Sequence, residues 1–334
     1  MTQYKLKEMN VYAKKMGFVA NTLEKVCRLT RVLHFIEKDP FLYKSLGFKG
    51  GTAINLVIFE CPRLSVDIDL DFCLETSRGE MLEARRYIKG VLLRSMATEQ
   101  YTFDEDEFRS FHASDSFAFS FKTASNAREK LKIDINYSLR SHVLPVTPQK
   151  IFTVGDLFAP ATVQTLAPLE IFGSKIAALL SRKAPRDLYD VNNMLTNFPL
   201  SQTDMDMLRK NVIFYAAISS QGDNVPTTLS FDTIDSLSER DIRLQLRPVI
   251  RKGDPFALKE ARENTKEFLT FLLREQVTER ELEFLRAFMR NKYLPELLFD
   301  SRDILDRIRN HPMAIWKTHK KHEEFTAPPG DMRL

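Results

Sequence analysis

Three aspartates, Asp67, Asp69 and Asp71, stand at alternate positions in the stretch DIDLDF at residues 67–72. Apolar residues separate them, so a β-strand would carry the carboxylates on one face and the apolar side chains on the other. Aspartate is depleted in strands because its side chain bonds the backbone of turns. Two interpretations stay open: the acids bind a divalent cation, which prefers carboxylate oxygens, or they form a solvated acidic face.

A fourth acid, Asp134, lies in the middle of the alternating stretch LKIDINY at residues 131–137. Asp67 and Asp69 are two residues apart, which places them about 7 Å apart along a strand. If the later strand lies alongside, Asp134 supplies a third carboxylate. Such a set can hold two metal ions that activate a 3′-hydroxyl and neutralise a departing pyrophosphate. Asp71 lies beyond this pair, and we expect it to end the strand.

Two glycines, Gly50 and Gly51, precede Thr52 and a short predicted helix. Glycine allows a phosphate to approach the backbone, and the positive end of a helix dipole favours an anion. The same pair is also common as a plain turn before a helix. The sequence contains neither the GxxxxGK[ST] phosphate loop nor the GxGxxG dinucleotide fingerprint.

Lys175 is unusual because it lies within an otherwise apolar predicted helix at residues 169–181. It either extends from a packed helix to reach solvent or aims its charge at a triphosphate. Arg182 follows seven residues later, nearly on the same helical face. Asp187 lies beside the buried stripe of the next predicted helix. We expect part of the role of both Arg182 and Asp187 to be structural.

The elements that position these residues follow from the periodicity of the sequence. Residues 3–38 have apolar side chains at steps of three and four, which predicts one long helix. Residues 117–121 and 131–137 alternate with period two around a turn at residues 125–127, which predicts a β-hairpin. From Pro168 onward the patterns are mostly helical.

Length and composition limit the class of protein. The chain has 334 residues, of which 43% are hydrophobic and 28% charged, which fits about two globular domains. No apolar run is long enough for a membrane span, and no signal peptide is evident. Three cysteines without CxxC spacing fit a reducing cytoplasm. Net basic flanks around an acidic centre suit a polyanionic partner as well as a metal-loaded site.

Four motifs in order resemble the AbiEii/AbiGii-type toxins, which belong to the polymerase-beta-like nucleotidyltransferase superfamily. These motifs are KGGTAINL, PRLSVDIDLDF, LKIDINY and KIAALLSRKAPRDLYDV. The resemblance implies a bacterial cytoplasmic toxin of a type IV toxin–antitoxin or abortive-infection system. It further implies Mg²⁺-dependent transfer of a nucleotide from an NTP to RNA, in some members to the tRNA 3′ end, and a cognate antitoxin.

The same resemblance assigns roles to the candidate residues. Gly50, Gly51 and Thr52, with Thr52 at the usual serine position, would hold the triphosphate. Asp67 and Asp69 would bind metal, with Asp134 as the third carboxylate. Lys175 and Arg182 would contact the nucleotide, and Asp187 matches an acidic position important in the family.

We therefore expect an α/β nucleotidyltransferase fold with a small mixed sheet, followed by a C-terminal helical domain. The predicted boundaries are residues 1–167 for the sheet domain, 168–318 for the helical domain and 319–334 for a flexible basic tail. Two other functions stay open: transfer to a protein or small-molecule acceptor, and a catalytically idle module that binds NTP or RNA.

Overall fold

The computed structural model describes residues 4–219 and 230–326, with side chains described through residue 319. Within these residues the chain forms one mixed sheet of eight strands together with helices that precede, interrupt and follow it in the sequence. This confirms the predicted α/β class, although the sheet is larger than expected. The strands are β1 (Leu46–Lys49), β2 (Asp67–Phe72), β3 (Thr102–Phe103), β4 (Arg109–Ser110), β5 (Ser114–Lys122), β6 (Arg128–Asn136), β7 (Thr147–Lys150) and β8 (Thr162–Thr165).

The strand order is β3-β5-β6-β2-β1-β8-β7, with β4 paired to the other end of β5. Two neighbouring pairs are parallel, β2 with β6 and β1 with β8, and the others are antiparallel. The strand that carries the aspartates, β2, therefore lies in the middle of the sheet between β1 and β6. The strand that carries Asp134, β6, lies alongside β2, so the condition under which Asp134 supplies a third carboxylate is met.

The α-helices of the described residues differ widely in length. They are α1 (Leu6–Met16), α2 (Ala20–Lys38), α3 (Pro40–Ser45), α4 (Gly50–Ala53), α5 (Arg78–Thr98), α6 (Pro168–Ser181), α7 (Pro185–Asn197), α8 (Gln202–Ser219), α9 (Asp232–Asp235), α10 (Glu239–Asp241), α11 (Leu258–Thr270), α12 (Glu279–Met289), α13 (Arg302–Ile308) and α14 (Pro312–Thr326). Wider π-turns continue α4, α10 and α11, over Ile54–Ile58, Ile242–Leu246 and Phe271–Glu275. Short 3-10 turns lie at Glu105–Glu107 and Pro295–Leu297.

The single helix predicted over residues 3–38 is wrong. Gly17 adopts a left-handed conformation, with φ of +77°, and its N–H bonds the carbonyl of Ala13. Glycine does this readily because it has no Cβ, and the result is a common way to end a helix. The apolar period continues through the break into α2, which is why periodicity alone does not reveal it.

The predicted β-hairpin is confirmed as β5 and β6, which pair from Ser114 with Asn136 to Lys122 with Arg128. Asn126 has a φ of +64° in the connecting turn, a conformation that asparagine tolerates. Along β6, Leu131, Ile133 and Ile135 are buried, whereas the residues between them are exposed or half-buried. One face of the sheet thus carries the core, and the other is polar.

The apolar face of the sheet packs against α2 and α5. Leu23 and Leu33 of α2 and Ile88 of α5 are completely buried in the same core as Phe117 and Ile133 of the sheet. This core continues into α6 and α7 and as far as Leu272, beyond the boundary predicted at residue 168. The division into domains therefore stays a prediction.

The C-terminal half is helical, as predicted. A capping box starts α12: the Thr278 side chain accepts from the backbone N–H of Glu281, and the Glu281 side chain accepts from that of Thr278. The last helix, α14, continues through Thr326, into the segment for which a tail was predicted from residue 319; residues 327–334 of that tail lie outside the described residues. No helix in the described ranges combines the length and the hydropathy that a membrane span requires.

Candidate active site

Three of the predicted acids meet on the polar face of the sheet. Asp67 and Asp69 lie on β2, and Asp69 pairs directly with Asp134 across the parallel strands β2 and β6. All three side chains are half-buried. The carboxylates of directly opposed strand residues are neighbours on one face of a sheet. The structure therefore brings Asp67, Asp69 and Asp134 together, as the sequence predicts.

The glycine turn is built around Asp69. Gly50 has a φ of +71°, and a Cβ at that position would overlap the Asp69 carboxylate. A Cβ at Gly51 would lie 2.7 Å from Nη2 of Arg63. Both glycines are thus required by close approach, and Gly50 also by its backbone conformation. The turn places the backbone at the start of α4 directly beside the acids.

Thr52 is completely buried, and its hydroxyl donates a hydrogen bond to the backbone carbonyl of Asp67. This bond ties the glycine turn to the start of β2. The hydroxyl is thereby already engaged, which leaves the backbone of Gly51 and Thr52, rather than the Thr52 side chain, as the group of this turn that can face a phosphate.

Asp71 continues the alternation but has a different environment. It is buried, and Nζ of Lys49 lies 2.5 Å from its Oδ1. Burial raises the pKa of Asp71, while the charge of Lys49 lowers it in part. The sequence interpretation that Asp71 stands apart from the other two acids fits this pairing, because its carboxylate neutralises Lys49 inside the fold.

Negative charge is concentrated around Asp69. Burial raises the pKa of Asp69, Lys49 and Lys175 lower it, and the neighbouring carboxylates Asp134 and Asp67 raise it again. The net direction is upward, so the fold holds this carboxylate at a cost. A bound cation relieves such a cost.

Lys132 is a cation at the edge of the acid group. Its Nζ donates to Oδ2 of Asp134 at 2.6 Å. Burial opposes the charge of Lys132, but Asp134, Asp67 and Asp69 together raise its pKa above the ordinary value. Lys132 thus partly neutralises the acids, and its side chain is exposed and can move away when another cation arrives.

The residues predicted to contact the nucleotide form a second group. Nζ of Lys175 donates to Oδ1 of Asp187 at 2.9 Å, and Nε of Arg182 donates to Oδ2 of the same carboxylate at 2.8 Å. Burial opposes ionisation of Asp187, yet the two cations hold its pKa below the usual value. The structure brings these three residues together, with Lys175 buried and Arg182 exposed. Lys175 and Arg182 also interact electrostatically with Asp69, which links the two groups.

Two residues of this site were missed from the sequence: Arg63 and Asp190. Nε and Nη2 of Arg63 donate to the two oxygens of Asp190 at 2.7 and 2.6 Å, and both side chains are fully buried. Nζ of Lys175 lies 3.3 Å from Oδ2 of Asp190 as well. The spacing of Asp187 and Asp190, three residues apart on one helix, was the available signal. Arg63 had none beyond its place before the acidic strand.

A ready-made metal cluster is absent: in the part of the chain that the structure describes, no three His, Cys, Asp or Glu side chains are arranged to hold an ion. The residues nevertheless suit Mg²⁺, which binds through one or two carboxylates and completes its shell with water and substrate phosphates. Asp67 and Asp69 offer such a pair. The carboxylate of Asp134 can bind the ion as well once Lys132 has moved away from it.

The polar face of the sheet extends from the acids toward the hairpin turn. Lys132, Lys130 and Arg128 alternate along β6, and Lys122 pairs with Arg128 from β5; all four are exposed. These residues adjoin a groove of about 1360 Å³. The groove is lined in part by Lys130, Lys122 and Arg128, and Tyr101 is one of its aromatic lining residues. Acidic residues from the segment between β3 and β4 also line this groove. A basic path thus runs from the groove to Asp134.

The sequence matches one known protein family. Residues 35–294, well over half of the chain, match the family described as "Nucleotidyl transferase AbiEii toxin, Type IV TA system". No curated protein matches the sequence.

The fold resembles that of a solved toxin structure. MenT4, a nucleotidyltransferase toxin from Mycobacterium tuberculosis H37Rv, superposes with a TM-score of 0.61 over 91% of this chain and 98% of its own, at 16% sequence identity. At this identity the likeness concerns the fold. The match covers nearly all of both chains, so the helices that follow the sheet belong to the shared architecture.

Proposed function

The chain belongs to the AbiEii family of nucleotidyltransferase toxins of type IV toxin–antitoxin systems, and we propose that it transfers a nucleoside monophosphate from an NTP to the 3′ end of tRNA with Mg²⁺. The observation that carries the proposal is the register of Asp69 with Asp134 on neighbouring parallel strands, beside Asp67. In the proposed reaction the 3′-hydroxyl loses its proton to solvent and its oxygen bonds to the α-phosphorus. The bond from that phosphorus to the pyrophosphate breaks, and pyrophosphate leaves.

The acids are proposed to be the metal-binding residues, Asp67 and Asp69 first and Asp134 as the third. Bound there, Mg²⁺ supplies Lewis-acid stabilisation of the phosphate oxygens, with two ions as the expected number. Gly50 leaves room for the Asp69 carboxylate beside the turn, and the hydroxyl of Thr52 holds the backbone of Asp67. A backbone fixed in this way reduces the reorganisation needed when the substrate binds.

The nucleotide is proposed to lie between the glycine turn and the C-terminal end of α6. Backbone N–H groups of Gly51 and Thr52 suit a phosphate at the start of α4. Arg182 is exposed and carries a charge beside Asp187, so its guanidinium can turn toward the triphosphate. Lys175 is enclosed by two carboxylates; its proposed role is to contribute positive potential near Asp69 and to hold Asp187 in place.

The acceptor is proposed to approach along the basic path on the open sheet face. Lys122, Arg128, Lys130 and Lys132 lead from the groove at the hairpin end to Asp134. Within the described residues, Lys122 and Arg128 make no ion pair with an acidic side chain. Cations that lack carboxylate partners suit the phosphates of a nucleic acid, and the path ends at the acids where the 3′-hydroxyl must react.

The biological setting is proposed from the family. Toxins of type IV systems act beside a cognate antitoxin, which we expect for this chain as well. We place its action in a bacterial cytoplasm, as part of abortive infection.

One experiment tests the reaction. The purified chain is incubated with each of the four α-³²P-labelled NTPs, Mg²⁺ and total bacterial RNA, and the labelled RNA is sequenced from its 3′ end. We expect one NTP to label tRNA, with no labelling by an Asp67→Asn, Asp69→Asn double variant. The double variant removes both charges while keeping the size of the side chains.

The alternatives give different outcomes in the same experiment. Label in protein bands or in small molecules would overturn the RNA acceptor and leave the transferase activity in place. If nothing is labelled while NTP binding persists by equilibrium dialysis, the proposed transfer fails, and the chain only binds. Labelling of internal or 5′ positions would overturn the 3′-end assignment.

A further inference from the structure

A cysteine, a histidine and a glutamate form a chain of contacts beyond the end of β2. Sγ of Cys73 lies 3.3 Å from Nε2 of His142, and the other ring nitrogen of His142 lies 3.6 Å from Oε1 of Glu170. A thiol next to an imidazole that has a carboxylate on its other side is the arrangement of an activated cysteine nucleophile. The proposed nucleotidyl transfer uses none of these three residues.

Glu170 is anchored so that it can orient the imidazole. Its two oxygens accept hydrogen bonds from the backbone N–H groups of Val143 and Leu144, at 2.9 and 2.8 Å, and from the hydroxyl of Tyr215 at 2.5 Å. Complete burial opposes ionisation of Glu170, yet His142 and these donors hold its pKa below the usual value. An ionised carboxylate at this place favours the protonated imidazole.

Cys73 lies at a pocket. Cys73 and His142 line a cavity of about 540 Å³, together with three cations, Lys44, Arg140 and Arg307, and one acid, Glu75. Cys73 is half-buried, whereas the other two cysteines of the sequence, both within the described residues, are buried. A small molecule can therefore reach Cys73 in the folded protein, and the surrounding cations favour one that carries carboxylates.

We propose that Cys73 is a reactive thiol, activated by His142 and Glu170, that forms a mixed disulfide with small carboxylate-bearing disulfides. The Cys73 thiol gives its proton to Nε2 of His142, and the thiolate attacks one sulfur of the disulfide RS–SR. The new bond joins Sγ to that sulfur, the S–S bond breaks, and RS⁻ leaves and takes up the proton. Cys73 is oxidised and one RS group is reduced, so no other oxidant is needed.

The surroundings of the two reacting groups agree with this chemistry. Burial disfavours the imidazolium, but contacts with Cys73 and Glu170 raise the pKa of His142 well above its ordinary value. Sγ also donates to the backbone carbonyl of Asp71 at 3.2 Å; this bond favours the protonated thiol and is lost when the proton moves to His142. After proton transfer, the Nε2–H of His142 remains as the donor that stabilises the thiolate.

The experiment measures the rate of disulfide exchange in the intact folded chain at pH 7. The probes are dianionic 5,5′-dithiobis(2-nitrobenzoate) and cationic cystamine, and each rate is divided by that of a free cysteine peptide with the same probe. We expect Cys73 to react about tenfold faster than the peptide with the anionic probe, because His142 accepts the thiol proton and the cations of the pocket attract the probe. Intact mass and peptide mapping should place one adduct on Cys73, and Cys73→Ser should abolish it.

Two variants separate activation by His142 from recognition by the pocket. His142→Gln should bring the rates with both probes down to that of the peptide or below. Because His142 is buried and its replacement can disturb folding, Lys44→Gln provides the second test on an exposed side chain. It should reduce the rate with the anionic probe and should not reduce that with cystamine, for which the lost positive charge removes a repulsion.

Several outcomes would overturn the proposal. If both probes react no faster with Cys73 than with the peptide, Cys73 is an ordinary thiol. Adducts on Cys27 or Cys61 at a comparable rate would assign the reactivity to unfolding instead. An unchanged rate in a folded His142→Gln variant would remove the activation by the imidazole.

Discussion

Gly50 lies against the carboxylate of Asp69 so closely that no side chain fits between them. The register of β1 with β2 places Lys49 opposite Asp69, and the chain then turns at Gly50 with a φ of +71°. The glycine turn therefore leaves room for the Asp69 carboxylate and also starts α4. This relationship joins the proposed phosphate and metal groups in one rigid unit.

Replacing Gly50 with alanine should damage both stability and activity. The positive φ costs about 1 kcal/mol with a Cβ, and the overlap with Asp69 adds about 1–3 kcal/mol through displacement of the strand. We expect the free energy of unfolding, measured by urea denaturation, to fall by about 2–4 kcal/mol, the sum of these two costs. NTP-dependent labelling should be lost as well.

Gly253→Ala is the matched control for this variant. Gly253 has a φ of +83°, and no atom lies within 4 Å of the place that a Cβ would take. The control should therefore lose about 1 kcal/mol through its backbone conformation alone and keep its activity. Equal losses of stability and activity in the two variants would contradict the requirement for a glycine beside the Asp69 carboxylate.

Replacing Asp69 with asparagine should strongly reduce transfer while leaving the protein at least as stable as the wild type. The pKa of Asp69 is raised in the fold, so the folded protein holds this proton more tightly than the unfolded chain does. The contribution of Asp69 to the free energy of unfolding is then fully present below the pKa that it has in the unfolded chain, about 4. This contribution is lost as the pH rises through the raised pKa of the folded protein. Asparagine removes this dependence.

Thermal unfolding at pH 4 and pH 8 measures the effect. The difference in Tm between Asp69→Asn and wild type should shift in favour of the variant at pH 8, and labelling should fall by at least about 100-fold. Millimolar Mg²⁺ should raise the Tm of the wild type more than that of the variant. A variant that is less stable at pH 8 than at pH 4, relative to wild type, would show that Asp69 stabilises the fold.

Short-range patterns explain how much of this site could be predicted. The side-chain period of a strand is independent of its partners, so alternation alone determines the two faces of β2 and of β6. It therefore predicts that Asp67, Asp69 and Asp134 lie on the polar faces of their strands. The parallel pairing of Asp69 with Asp134 depends instead on contacts between residues far apart in the chain. No local pattern specifies the strand order that makes these two residues neighbours.

The pair of Arg63 and Asp190 shows the limit of such patterns. The two residues are 127 positions apart, and neither lies in a period that marks it as buried. A buried ion pair of this kind is specified by the packing of α7 against the loop before β2. By contrast, the break at Gly17 was a local signal that the continuing apolar period concealed.

Removing one member of the buried ion network should separate structural from functional charges. Asp190→Asn leaves the guanidinium of Arg63 without its carboxylate in the interior, which costs about 3–5 kcal/mol.

Arg182 pairs with Asp187 from an exposed position, so Arg182→Gln should cost less than about 1 kcal/mol. We expect Arg182→Gln to keep its Tm and to raise the KM for NTP. Unchanged kinetics in this variant would remove Arg182 from the proposed nucleotide site.

Reversing the charge at the hairpin end of the sheet should weaken binding of the acceptor without affecting the nucleotide. Lys122 and Arg128 pair with each other across β5 and β6, several residues from Asp134 and outside the proposed chemistry. In Lys122→Glu, Arg128→Glu, we expect RNA binding to fall by at least about tenfold and its dependence on log salt to decrease by about 0.7–0.9 for each lost phosphate contact. NTP binding should stay at the wild-type level.

The matched control places the same charge change elsewhere: Lys14→Glu, Lys15→Glu on the exposed end of α1. If long-range attraction by the whole protein accounts for RNA binding, the two double variants will lose affinity equally, because they have the same net charge. If the sheet face binds the acceptor directly, only the first will lose affinity and show the smaller salt dependence. Equal losses would contradict the basic path, whereas a selective loss that also lowers labelling would connect this path to transfer at Asp69 and Asp134.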